Sequence, residues 1–196
     1  GWDCILFTDK NVPDSLGWDV VIVPKTNEPD KESRRYKFLS HVYLSDYEIV
    51  CYMDANMTLR QAPPDIPTWF KHPKRNNVKD EVVAILELKK ADPDMLNYQM
   101  EFYKKDGFQD NEGLYQNGFF VRSHKNKDIN KLMETVWATV DAYTYRDQLA
   151  LPYAMWKHKL KVENIRDNAF INYYIFVHPH KKTKDYSQKP YVHHIT

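Results

Sequence analysis

Short, continuous apolar runs alternate along this chain with segments of helical period. Residues 4–8 (Cys-Ile-Leu-Phe-Thr) and 19–23 (Asp-Val-Val-Ile-Val) read as buried strands, the first stopped by Thr8-Asp9 and the second by Pro24. After a polar loop, Ser33 can cap a helix over 34–45, with Phe38, Leu39, Val42 and Tyr43 on one face and Arg34, Arg35 and Lys37 near its start. A third strand, 47–53, ends abruptly in Asp54-Ala55-Asn56. The proline-broken stretch 62–67 leads to a short amphipathic piece at Trp69-Phe70, and two helices follow over 78–90 and 93–106. The second of these starts at Asp92 with Pro93 in its first position and stops at Gly107. Residues 117–122 read as a strand, 127–142 and 146–158 as helices, 172–177 as a last strand, and 181–189 as a polar tail. Strands of this kind, alternating with helices, predict an α/β sandwich around a mostly parallel sheet. Ligands of such folds bind beyond the carboxyl ends of the strands.

Composition narrows the field. A chain of 196 residues, 42% of them hydrophobic, is expected to form a single domain and to bury about 70% of its unfolded surface. Lys and Arg number 28 against 27 Asp and Glu, and a net charge of +1 argues against nucleic-acid binding. No apolar run approaches the ~20 residues of a membrane span. The opening Gly-Trp-Asp-Cys has no basic and then apolar leader, and Cys4 and Cys51 sit in strand-like runs as buried free thiols rather than as a disulfide or metal pair. The expectation is a soluble, cytoplasmic protein. With only five glycines, neither a dinucleotide fingerprint nor a phosphate loop can be written, since Phe119 stands where the loop lysine would follow Gly118. A phosphate bound here would have to be held by a metal or by side chains.

Two strands end in acids at what should be one edge of the sheet, at Asp9 and at Asp54-Ala55-Asn56. Oxygen-bearing side chains at i and i+2 of an extended chain face the same side, the spacing needed to touch a divalent cation and a diphosphate. Asp and Asn are also ordinary strand terminators, so spacing alone leaves both readings open.

The order of motifs adds a resemblance. Cys4-Ile5-Leu6-Phe7-Thr8-Asp9, Ser33-Arg34-Arg35-Tyr36-Lys37, Tyr52-Met53-Asp54-Ala55-Asn56, His72-Pro73-Lys74-Arg75, Gln116-Asn117-Gly118-Phe119-Phe120-Val121-Arg122-Ser123-His124 and Tyr145-Arg146-Asp147-Gln148-Leu149-Ala150-Leu151-Pro152-Tyr153 span residues 1 to about 165. In order and spacing they resemble the nucleotide-binding half of glycosyltransferases of the GT-A fold. The nearest family is the glycosyltransferase-like domain related to plant mucilage and sphingolipid-turnover proteins, with members in bacteria and large DNA viruses. Such domains normally open with a further strand and a base-holding loop. This chain starts about where their second strand would, so either residues upstream are missing or the sheet is built differently.

The resemblance implies a Rossmann-like, mostly parallel sheet, a UDP-sugar donor, Mn2+ or Mg2+, and a hydroxyl acceptor on a glycan or glycoprotein. Asp54 and Asn56 would correspond to the metal-and-diphosphate motif, with Asn56 a neutral ligand where a second acid is commoner. Thr8 and Asp9 would lie near the uracil or ribose, and Arg35 and Lys37 would reach the diphosphate. The alternative for these two cations is a solvated first turn, where the helix dipole slightly disfavours them. His178, or else His180, would complete the cation's coordination; the two could equally be surface residues of a tail. Asp147, at a helix start beside Arg146, would be the general base for the acceptor hydroxyl, or would only orient the acceptor if configuration is retained. Arg146 and Gln148 flank it as substrate-binding residues. Asn117 would hydrogen-bond sugar hydroxyls, or be a plain Asn-Gly turn, and His72 and Arg75 would grip donor sugar or acceptor, with His124 a lesser candidate. Tyr115, Tyr145 and Tyr153 are placed on the acceptor side, and Trp137, on a helical stripe, in the core. The competing readings are a nucleotide- or carbohydrate-binding module without turnover, which Asn56 would favour, and a nucleotidyltransferase, for which no glycine-rich loop is present.

Overall fold

The structure, a computed structural model, describes residues 2–12, 17–60, 92–109, 113–161 and 175–178. The expected helix 78–90, the segments at 62–67 and 69–70, the tail 181–189, and His72, Arg75 and His180 lie outside these residues. Local chemistry sets most helix bounds. The helix expected over 93–106 is Pro93–Asp106, which we label α3. Asp92 Oδ1 accepts from the backbone N–H of Asp94 at 2.9 Å, Pro93 begins the helix where its missing N–H costs nothing, and Gly107 leaves it at a φ of 94°. Helix α4, Lys127–Ala142, begins at Asn126, whose Oδ1 accepts from the N–H groups of Asp128 and Ile129. Helix α5 runs Asp147–His158.

The first helical segment departs from expectation. It is two pieces, α1 (Pro29–Phe38) and α2 (Ser40–Tyr43), and Ser33 does not cap either; its hydroxyl donates to Asp30 O inside α1. Pro29 is pre-set for a first turn, and Asp30 and Glu32 there complement the helix dipole. Starting five residues early puts Arg35 and Lys37 in the last turn, where cations are favoured. Between the two pieces, the buried Arg122 donates from NH2 to the Phe38 carbonyl at 2.8 Å, satisfying an end-of-helix acceptor. Burial brings the Arg122 guanidinium down to about 10.

Among the described residues, six strands form three two-stranded pairs. Strands β1 (Ile5–Thr8) and β2 (Asp19–Ile22) pair in parallel, β3 (Ile49–Met53) and β5 (Phe119–Ser123) antiparallel, and β4 (Met57–Leu59) and β6 (Ile175–Val177) antiparallel. The fold is α/β, as expected. The pairings described are one parallel and two antiparallel, however, and do not join β1 and β3 along one sheet edge. The alternation of strands with helices predicts a mostly parallel sheet, but apolar runs mark strands without fixing the direction in which they pair.

The core lies where α1, α4 and α5 meet. Leu132, Val136 and Val140 on α4, Ala150 and Ala154 on α5 and Phe38 at the end of α1 are fully enclosed, with Trp137 beside them as its helical stripe implied. Phe120 of β5 packs against this cluster and stacks between Phe38 and Tyr52, which fastens the β3–β5 pair to α1. A second, aromatic cluster joins α3 to α5, with Tyr103 stacked on Tyr153 at 4.2 Å. Tyr153 is therefore part of the packing, not of an open acceptor face; its hydroxyl donates to Asp106. Both cysteines are free thiols, and burial pushes Cys51 up to about 12.

Candidate active site

The antiparallel register of β3 and β5 opposes Met53 to Phe119, and the ladder continues one step as Asp54 N–H donates to Gly118 O at 2.8 Å. The end of β3 and the start of β5 thus meet, bringing Asp54 beside Asn117-Gly118. A tight turn follows Asp54, closed by a bond from Met57 N–H to Asp54 O, and the chain reverses into β4. Asp54 and Asn56 are consequently not neighbours on one face of an extended strand, as their spacing had suggested; a turn separates them.

That turn receives the last strand. His178 N–H donates to Asn56 O at 2.7 Å, and Asn56 Nδ2 donates to His178 O at 3.2 Å. The His178 ring reaches Thr58 Oγ1 through Nε2 at 2.8 Å. Register again explains the meeting, since Met57 opposes Val177 in the β4–β6 pair. Residues more than a hundred positions apart share one corner.

Behind this corner lies a buried charge pair. Lys37 Nζ is 2.7 Å from Asp147 Oδ2 and 3.9 Å from Asp54 Oδ1; the side chains of Lys37 and Asp147 are each 3% exposed and that of Asp54 is 41% exposed. Asp147 begins α5, as the sequence implied, and the cation it holds is Lys37. The ammonium sits 4.7 Å from the Tyr52 ring centroid and 5.3 Å from that of Phe38, so two aromatic faces lie against it. The Tyr52 hydroxyl donates to Asp54 Oδ1 at 2.8 Å, and burial first, the Asp54 charge second, raise that phenol well above its ordinary value.

The other oxygen, Asp54 Oδ2, faces Gly118 so closely that a Cβ there would lie 3.0 Å from it. Next to it Asn117 is 6% exposed, and among the described residues its Nδ2 has no hydrogen-bond partner. A buried amide donor left unpaired is costly unless something accepts from it.

The remaining candidates lie elsewhere. Arg35 pairs with Glu32 at 3.0 Å and covers the Trp137 ring, on a different side of α1 from Lys37. Thr8 and Asp9 end β1, where Thr8 Oγ1 accepts from Lys10 N–H, and Phe7 fixes this strand by stacking on Tyr36. Arg146 is buried, its guanidinium 4.7 Å from the Tyr145 ring, with Arg34 on that ring at 5.9 Å; Gln148 is half-buried on the first turn of α5. Tyr115 is half-buried against the core. His124 is a framework residue bonded to Ser40 Oγ and the Leu44 carbonyl, and burial lowers its pKa. Sequence reasoning passed over Tyr52 and Gly118. Tyr52 had a signal, lying two residues before Asp54 and so on its face of β3; Gly118 had none beyond the Asn-Gly pair.

Among the described residues no three His, Cys, Asp or Glu side chains are grouped to hold a metal ion. Asp54 and Asn56 are hard oxygen donors, and an accessible single carboxylate suits Mg2+ or Mn2+ completed by phosphate oxygens and water rather than by a protein cage. Asp54, Asn56 and His178 would be the residues to hold it.

No helix among the described residues is long and apolar enough to cross a membrane. Comparison with curated proteins and with solved structures returns no match. The family model of the TOD1/MUCI70 glycosyltransferase-like domain matches residues 8–178, a span that takes in Asp54, Asn117, Asp147 and His178, and the chain belongs to that family.

Proposed function

We propose that this protein is a metal-dependent glycosyltransferase of the GT-A type that moves a sugar from a UDP-sugar to a hydroxyl of a glycan or glycoprotein acceptor. Family membership supports glycosyl transfer in general. The observation that supports the finer reading is that the turn following Asp54 is bonded to His178, whose N–H donates to Asn56 O and whose carbonyl accepts from Asn56 Nδ2. In this reading Asp54 and His178 face a Mn2+ or Mg2+ ion, which when bound neutralises the diphosphate leaving group. The Nδ2 of Asn117, unpaired among the described residues, donates to a hydroxyl of the donor sugar, removing the cost of its burial.

Two roles change from the sequence expectation. Lys37, enclosed behind Tyr52, is an internal counter-charge rather than a surface ligand of the diphosphate. Asp147 supports Lys37. A general base must reach the proton it removes, and this carboxylate is enclosed with one oxygen already bonded at 2.7 Å. Thr8 and Asp9 remain assigned to the nucleoside side, and Arg146 and Gln148 to the substrate side.

The test is UDP release from a panel of UDP-sugars with Mn2+ and glycan acceptors. Release with at least one donor, lost on chelation and lost in Asp54→Ala, is the expected result. Tight UDP binding without release from any donor would mark a binding module and defeat the enzyme reading.

A further inference from the structure

We infer that Asp147 acts through Lys37 to set the cation affinity of Asp54: it holds the buried ammonium back from a carboxylate that must stay open. This rests on the reading of Asp54 as a cation ligand. Three charges lie together. Lys37 Nζ is bonded to Asp147 Oδ2 at 2.7 Å, and Asp54 Oδ1 stands 3.9 Å from it. The two contacts differ in surroundings. Lys37 and Asp147 are both 3% exposed, so their attraction is little screened, whereas Asp54 is 41% exposed and shares its charge with water. The ammonium therefore rests with Asp147. The rings of Tyr52 and Phe38 lie against it, at 4.7 and 5.3 Å from the ammonium to their centroids.

Without the charge of Asp147, Lys37 has one carboxylate left to serve among the described residues, that of Asp54. Closing 3.9 Å to a normal ion-pair contact would place a fixed cation on Asp54, where it competes with a divalent ion. The same Asp54 oxygen already accepts from Tyr52, so this contact would tie Oδ1 on two sides. Asp147 is thus a positioning residue that touches neither nucleotide nor metal, and Lys37 is the element it positions.

The experiment is Mn2+ titration of the full chain, read as loss of the free-ion paramagnetic resonance signal, for wild type, Asp54→Ala, Asp147→Asn and the double variant Lys37→Met with Asp147→Asn. At an effective dielectric of 20, moving a unit charge from 3.9 Å to about 2.8 Å from Asp54 predicts Mn2+ binding roughly tenfold weaker in Asp147→Asn. The double variant has no ammonium to release, so its affinity returns to that of wild type or exceeds it. Replacing a buried ion pair by neutral groups of similar volume is commonly tolerated, so this variant is expected to fold, which its melting transition checks. A merely structural loss of the pair would weaken both variants alike, and that result overturns the inference. So does Mn2+ binding that Asp54→Ala removes but Asp147→Asn leaves unchanged. Wild type that binds no more Mn2+ than Asp54→Ala refutes the cation site itself and this inference with it.

Discussion

Gly118→Ala tests the closest contact in the site. A methyl group at this position would lie 2.5 Å from Met57 Cε and 3.0 Å from Asp54 Oδ2. Carbon atoms in contact rest about 3.5–4.0 Å apart, so the Met57 methyl must retreat by about 1 Å. Methionine can do this by an off-rotamer turn costing on the order of 0.5–1.5 kcal/mol. Asp54 is less free, because Tyr52 holds Oδ1 at 2.8 Å and the backbone N–H of Asp54 is tied to Gly118 itself. The carboxylate must rotate or stretch that bond. Backbone strain adds nothing, since Gly118 is not among the glycines of positive φ. The expected cost is about 1–2 kcal/mol, within the usual range for overpacking, read as a lower urea midpoint with an unchanged slope. Mn2+ affinity should fall with it, because the disturbed group is Asp54. Gly113→Ala is the control. Its added carbon meets nothing within 4 Å among the described residues, but its φ of 87° strains an alanine, so it should lower stability and leave Mn2+ binding alone. If Gly118→Ala matches wild type in both midpoint and Mn2+ affinity, Gly118 does not lie against Asp54 and the site as described is wrong.

Two further expectations concern the framework. Leu132 on α4 is wholly enclosed, so Leu132→Ala should cost about 3 kcal/mol by chemical denaturation, and a loss under 1 kcal/mol would contradict its place in the core. His124 has its folded-state pKa lowered, by burial first and then by Arg122, below the ~6.5 of the unfolded chain. The unfolded state then binds the extra proton, so this histidine's contribution to stability is lost as pH falls from about 6.5 toward the folded value, with a slope of at most about 1.4 kcal/mol per pH unit. His124→Gln should flatten the stability profile in that window, and an unchanged slope would reject the assignment.

What could be read in advance was local. Asp92, Pro93 and Gly107 mark both ends of α3 by their own backbone chemistry, and the apolar stripe of α4 names Leu132, Val136, Trp137 and Val140 as core. Strand β4 gave no signal, because three residues become a strand only through a partner near the other end of the chain. Direction was equally hidden, and with it the register that sets Asn117-Gly118 against Asp54.

Lys37 shows how far one boundary can carry an argument. Capped at Ser33, it stood in a first turn, a cation set against the helix dipole and so a candidate for an outside anion. Begun at Pro29, the same helix places it in the last turn, where the dipole holds it, and its anions are inside the protein. Asp54 had been judged by its neighbour Asn56, two residues on. The groups that now bear on its charge are Tyr52, Gly118 and Lys37, brought to it by strand register and by the packing of Phe38 and Phe120. The identity of a candidate ligand can therefore be local in sequence while its affinity is not. That affinity depends on which carboxylate Lys37 is made to serve, and Asp147, 110 residues from it, decides that.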